Sequence, residues 1–271
     1  MSSANLAIAV GFAPGFIGYT ISLSLYGMML AQSIIYLRSF PDDNRILKYL
    51  VISLCAMDTL HVWLVGDMFW NVLIYGRLPD HPGSSNMPWQ LLASFIIESF
   101  VTAVVQCFFC VRVWRVSKNL TLSSIIGIAS AMQFGTGNAF TIKNMDKGGT
   151  AATLYKNILP RLQMISSMVC DIVISASLVY YFRCLRVGMA RTQPVLQQLM
   201  IFSVNVGVLL SIVTGVSMVL FEVKPGTYFS LAPQFILSKL YLNSFTATLN
   251  ARKHFREVVD RSIDYSISVD L

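Results

Sequence analysis

The stretch Trp89–Val113, WQLLASFIIESFVTAVVQCFFCVRV, decides the fold. A helix rises 1.5 Å per residue, so about 20 mainly apolar residues cross the ~30 Å of hydrocarbon in a bilayer. This stretch is longer than that. It carries one carboxylate, Glu98, and one basic residue, Arg112, near its far end. Its apolar residues fall on every side of a helix and form no stripe, as a lipid-embedded helix requires. Six further stretches share this character: Gly15–Leu37, Ile46–Ile74, Leu120–Phe140, Leu162–Tyr181, Val195–Phe221 and Leu231–Leu249. The expected fold is therefore all-α, an integral membrane bundle of seven transmembrane helices. Leu120–Phe140, rich in Ser and Gly, is the least apolar. Without it, six spans would leave both chain ends on one side.

Composition supports this. The chain has 271 residues, 55% hydrophobic and 12% charged, against about 25% charged in an average soluble domain. The net charge of +7 marks no nucleic-acid partner, because no basic face is interleaved with aromatics. Its placement explains it instead. Arg38, Arg45, Lys48, Arg112, Arg115, Lys118, Arg183, Arg186, Arg191, Arg252, Lys253, Arg256 and Arg261 fall in alternate connections and at the C-terminal end. The other connections hold fewer: Arg77, Lys143, Lys147, Lys156, Arg161 and Lys224. By the positive-inside rule the first set is cytosolic, so the N-terminus is outside and the C-terminus cytosolic.

This divides the chain into a short outer N-terminus (1–14), the helical domain (15–250) and a cytosolic tail (251–271). In that tail Arg252–Ile263 reads as a short amphipathic helix in the membrane interface, with Phe255, Val258, Val259 and Ile263 on one face. Ser262–Leu271 reads as unstructured. Met1–Ala13 has no Lys or Arg, so it lacks the basic start of a cleavable signal. The plasma membrane is the default location, with an internal membrane left open. The one glycosylation sequon, Asn119-Leu120-Thr121, falls on the cytosolic side and should carry no glycan.

The connections carry turn chemistry: Phe40-Pro41-Asp42-Asp43, Leu78-Pro79-Asp80-His81-Pro82-Gly83, Lys147-Gly148-Gly149 and Lys224-Pro225-Gly226. Of five cysteines, Cys55, Cys107, Cys110, Cys170 and Cys184, none falls in an outer connection, so no outer disulfide is expected. Cys107 and Cys110 form a C-x-x-C with no second pair and read as buried structural thiols. Cys184 is placed for palmitoylation.

Four motifs share a resemblance. They are Tyr36-Leu37-Arg38-Ser39-Phe40-Pro41-Asp42, and Met57-Asp58-Thr59-Leu60-His61. The third is Gln106-Cys107-Phe108-Phe109 with Arg112 to Asn119. The fourth is Ser238-Lys239-Leu240-Tyr241-Leu242-Asn243-Ser244 with Thr248-Leu249-Asn250-Ala251-Arg252. Together, over about residues 15–258, they resemble a large family of seven-span membrane proteins from basidiomycete fungi, classed as a domain of unknown function. The resemblance implies a fungal membrane protein and no particular activity.

Function must then be read from ionisable residues at bilayer depth, which are costly by roughly 2.5–3.5 kcal/mol and default to a functional role. They are Asp58, His61 and Asp67 in the second stretch, Glu98 in the third, Asp171 in the fifth and Lys239 in the seventh. Counted from the ends of their spans, Glu98, Asp171 and Lys239 lie roughly 12–14 Å deep, close to the midplane, and Asp58, counted from the inner end of its long span, also falls near the middle. Asp67 lies nearer the outer end. Polar residues repeat along single faces: Ser94, Glu98, Thr102, Gln106; Gln163, Ser167, Asp171, Ser175; and Lys239, Asn243, Thr246, Asn250.

Asp58, His61, Glu98, Thr102, Asp171, Lys239 and Asn243 are the candidate lining of a polar cavity. The plainer reading is helix-packing hydrogen bonds, with Lys239 paired to Glu98 or Asp171. Three midplane acids and one base leave at least one carboxylate protonated or solvated. Gly207, Ser211 and Gly215 form a small-x-x-x-small packing run.

The leading functional expectation is a receptor-like or sensor protein with a small-molecule ligand and a cytosolic partner. The alternative is a transporter or proton-coupled carrier using midplane carboxylates, although no internal repeat is visible. The G-protein-coupled signatures are missing. No acidic residue precedes Arg112, the sixth stretch has no Pro, and no cysteines are placed for the outer disulfide. A retinal-type reading rests on Lys239 alone, with Glu98 as counter-ion. H-E-x-x-H and G-x-S-x-G do not occur, so an enzyme is not favoured, and no cofactor or metal is expected.

Overall fold

The computed structural model describes residues 3–75, 87–147, 149–188, 193–224 and 229–269, which are helical almost throughout, with no strand among them. Seven long helices are α1 (Ser3–Ser39), α2 (Arg45–Leu73), α3 (Trp89–Ser117), α4 (Leu120–Lys147), α6 (Ile158–Gly188), α7 (Gln193–Val223) and α8 (Leu231–Val269), with a short α5 (Ala151–Lys156) between α4 and α6. The connection Leu78–Gly83, with His81, lies outside the described residues, as do Gly148, Pro225 and Gly226.

Local chemistry sets the ends. Asn44 caps α2 by accepting from the Ile46 N–H at 2.9 Å. Lys118 takes the left-handed conformation, φ 52°, and stops α3. The next residue, Asn119, accepts from the Leu122 N–H at 3.2 Å and starts α4. Only Lys118 and Asn119 separate these two antiparallel helices.

Each long helix packs on its sequence neighbours. With α4 against α6 and α8 returning to α1, the seven close a ring, and α3 also touches α6 and α8. α1 and α8 run parallel. Gly18 lies so close to the Ala232 backbone that a Cβ there would collide with main chain. Further along, Asn243 Nδ2 donates to Leu25 O at 2.9 Å and Asn250 Nδ2 to Gln32 O at 2.8 Å.

Burial is inside out by the standards of a soluble protein. Asp58, Glu98, Asp171 and Lys239 are buried, while Trp63, Ile128, Ile212 and Val219 are exposed. Among the described residues five helices are long and apolar enough to cross a membrane: Ala13–Ser39 of α1, α2, α3, Ile158–Cys184 of α6 and Asn205–Val223 of α7. The other two long helices miss that standard for different reasons. α4 hides a polar stripe, Ser123, Ser130, Gln133, Thr141 and Asn144, and turns Ile125, Ile128, Met132, Phe134 and Ile142 outward. α8 is enclosed on nearly all sides from Leu231 to Leu249, so its polar residues meet protein and not lipid.

Several sequence expectations change. α1 begins at Ser3 and takes Pro14 inside it, so most of the stretch expected as a short N-terminal segment is helix. The tail helix is not separate, because α8 is continuous from Leu231 to Val269. The stretch from Ser262, expected without structure, is helical as far as Val269. All five cysteines are free; Cys107, expected buried, is exposed, Cys110 is half-buried, and Cys184 is exposed. In the small-residue run, Gly207 packs against Ser175, but Gly215 has no neighbouring atom where a Cβ would point.

Candidate functional site

α8 is the hub of the polar interior, and the four charged residues expected in one layer separate into three groups around it. Lys239, fully buried, pairs with Asp58 Oδ1 of α2 and not with Glu98 or Asp171. Glu98 and Asp171, expected in the same layer, are not its partners because Lys239 and Asp58 face each other across the α2–α8 contact. Lys239 Nζ also lies 3.2 Å from His61 Nδ1. An ammonium only donates, so Nδ1 accepts and the ring proton falls on Nε2. His61 Nε2 and Asp58 Oδ2 have no partner among the described residues. Lys239 is ion-paired and is not named among the lining of the four cavities that follow. Asn243 stands apart from these groups and ties α8 to α1 through Leu25 O.

Asp171 of α6 receives the Tyr241 hydroxyl from α8 and Gln106 Nε2 from α3, the latter at 3.3 Å. Ser167 Oγ lies 3.1 Å from the same hydroxyl. Beside Asp171 is a mainly apolar cavity of about 390 Å³, bounded by Phe109, Ile174, Leu178 and Leu210. Asp67 closes the far end of the α2–α3 contact by accepting from Gln90 Nε2 at 2.8 Å and Asn71 Nδ2 at 3.0 Å.

Glu98 of α3 is held from one side only. Gln234 Nε2 of α8 donates to its Oε1 at 2.7 Å, and Ser217 Oγ of α7 reaches Gln234 Oε1 at 3.3 Å. Glu98 and Thr102 line a cavity with Gln133, Gln163, Ser167 and Thr214. A second cavity, about 420 Å³, lies between it and the end of the bundle away from Arg252. The two share Gln163, Met164 and Gln234, so they are adjacent. Phe95, Phe140, Pro160 and Phe221 wall the outer one. A fourth space, of about 810 Å³, is an open apolar groove on the outer surface between α2, α3 and α4.

Sequence reading looked for charge and so passed over Gln133, Thr214, Gln234 and Tyr241, which complete these groups. The available signal was a neutral polar residue deep in an apolar run. Gln163 and Ser167 were legible in that way, through the stripe that ends at Asp171 and Ser175.

Long apolar helices around a buried polar interior define the class: a multi-pass, all-helical membrane protein. A family model described as a family of unknown function (DUF6534) matches residues 167–254. The match runs from Ser167 in α6 through Lys239, Tyr241 and Asn243 in α8 and leaves out Asp58, His61, Glu98 and Thr102. No curated protein and no solved structure matches the chain.

Proposed function

We propose that all seven long helices cross the membrane, with the N-terminal end outside and the C-terminal end cytosolic. The protein is receptor-like: it takes a small ligand into the cavity between α3, α4, α6, α7 and α8 and meets a cytosolic partner at its basic end. The outward apolar face of α4 and the enclosure of α8 support seven crossings. The unequal sharing of Lys and Arg supports the orientation.

The outer cavity carries the functional reading. Its character, apolar walls with a few convergent amides, is that of a ligand site. Unobstructed space there takes only a few water-sized groups, so the ligand is small. The test is a thermal-shift screen of small metabolites against the protein in nanodiscs. Compounds that stabilise the wild type should lose their effect in Gln163→Leu and Met164→Trp. A library that shifts nothing, or shifts both variants like wild type, counts against the ligand site. The carrier reading draws on one observation, the buried Glu98 in a cavity beside the outer one. It requires solute uptake by proteoliposomes that Glu98→Gln abolishes.

A further inference from the structure

We infer that the inner cavity at Glu98 is a binding site for a sodium-sized monovalent cation, built from one carboxylate and neutral side-chain oxygens. This does not depend on a ligand in the outer cavity.

Charge comes first. Among the described residues Glu98 takes part in none of the three ion pairs, which join Arg161 to Glu222, Lys239 to Asp58 and Arg252 to Asp43. The only lysine deep in the bundle is therefore committed elsewhere. Glu98 is 3% exposed, and its one hydrogen bond, from Gln234, goes to Oε1. No described residue donates to Oε2. A carboxylate in such a place needs a positive partner or a proton.

The cavity supplies the rest of a coordination shell. Gln133 and Thr214, each 2% exposed, line it. Gln133 Oε1 and Thr214 Oγ1 are buried without any hydrogen-bond partner. Buried polar atoms are rarely left unpaired, and here two from different helices, α4 and α7, line the space that Glu98 lines from α3. Thr102 and Ser167 add hydroxyl oxygens to the lining. Five separate helices thus contribute when Gln234 of α8 is counted, a convergence that a packing contact between two helices does not need.

The donor set selects the ion. All are oxygens, which suits a hard cation and not a transition metal. No group of three His, Cys, Asp or Glu is found among the described residues. One carboxylate balances one positive charge, whereas calcium sites gather several carboxylates. Space for about one water molecule suits a small ion and not an organic ammonium.

The protein in nanodiscs would be melted at pH 7.5 in sodium, potassium and choline chloride at equal ionic strength. Sodium should raise Tm in a saturable way, potassium less and choline not at all, with a linkage of about RT ln(1 + [Na]/Kd). Glu98→Gln and Thr214→Val should lose the difference between sodium and choline. Equal melting of the wild type in the three salts would overturn the site, and needs no variant to fold. A sodium effect retained by both variants would also overturn it, by placing the ion elsewhere. Stability that follows pH in choline, with no sodium effect, would assign the position to a proton and likewise overturn it.

Discussion

At the scale of single residues the interior is governed by what each charge can reach. Lys239 and Asp58 are wholly buried, and removing one partner strands the other, which costs about 3–5 kcal/mol in comparable buried pairs. Lys239→Ala should therefore collapse folded yield or lower Tm sharply. The double variant Lys239→Met/Asp58→Leu should recover much of the loss, because it removes both charges. A silent Lys239→Ala would refute the pairing. The presence of these charges, and the buried stripes on α3 and α6, were legible in the sequence because ionisable residues in apolar runs stand out. Their pairing was not. Depth counted along a span says which groups share a layer, but the partner is set by helix rotation, which only packing fixes.

At the scale of elements, α8 shows why local apolarity and membrane crossing can part company. Its amides and hydroxyls reach α1 through Asn243, Thr246 and Asn250. Lys239 reaches α2, Gln234 reaches α3 and α7, and Tyr241 reaches α6. A helix so enclosed needs partners more than it needs apolar residues. Its N-terminal end depends on Gly18, where any side chain would meet the Ala232 backbone. Gly18→Val should separate α1 from α8 and reduce folded yield several-fold by fluorescence-detected size exclusion, while Gly27→Val should be tolerated, since nothing lies where its Cβ would point. Helix positions were legible from apolar runs and turn residues. The extension of α1 to Ser3 was not, because Pro14 interrupts the helical pattern there, and the short α5 was not, because it has no hydrophobic run of its own. The α3–α4 turn carries a sharper expectation. Asn119 lies in a two-residue connection on the side read as cytosolic, so mass spectrometry should find it without a glycan.

At the scale of the whole molecule, a basic end faces an end with few basic residues, and exposed aromatics flank both. Trp89 and Tyr75 stand at one level, Tyr49 and Trp114 at the other, as expected of rings at the membrane–water interfaces. The basic end is fastened by Asp43, which accepts from Arg252 Nη2 at 2.6 Å and from the Tyr36 hydroxyl at 2.8 Å. The Arg252 hydrogen bond is the largest cause that holds the Asp43 carboxyl down, from an ordinary value of 3.8 to about 2. A depressed carboxylate stabilises above its unfolded value and loses that contribution as pH falls from about 4 through 2. Asp43→Asn should thus lower Tm modestly at pH 7, and the gap to wild type should shrink as the pH is taken below 4.

The number of crossings and their direction bear on everything else, because a polar interior makes sense only inside a closed ring of spanning helices. α4 is where that claim is most exposed. The most direct measurement is labelling of Gly148→Cys and Ser117→Cys by a membrane-impermeant maleimide, in intact and then permeabilised cells, with Cys184 replaced. The account predicts labelling of position 148 in intact cells and of position 117 only after permeabilisation. Equal access of both positions in intact cells, or of neither, would mean that α4 does not cross and would contradict the seven-span bundle.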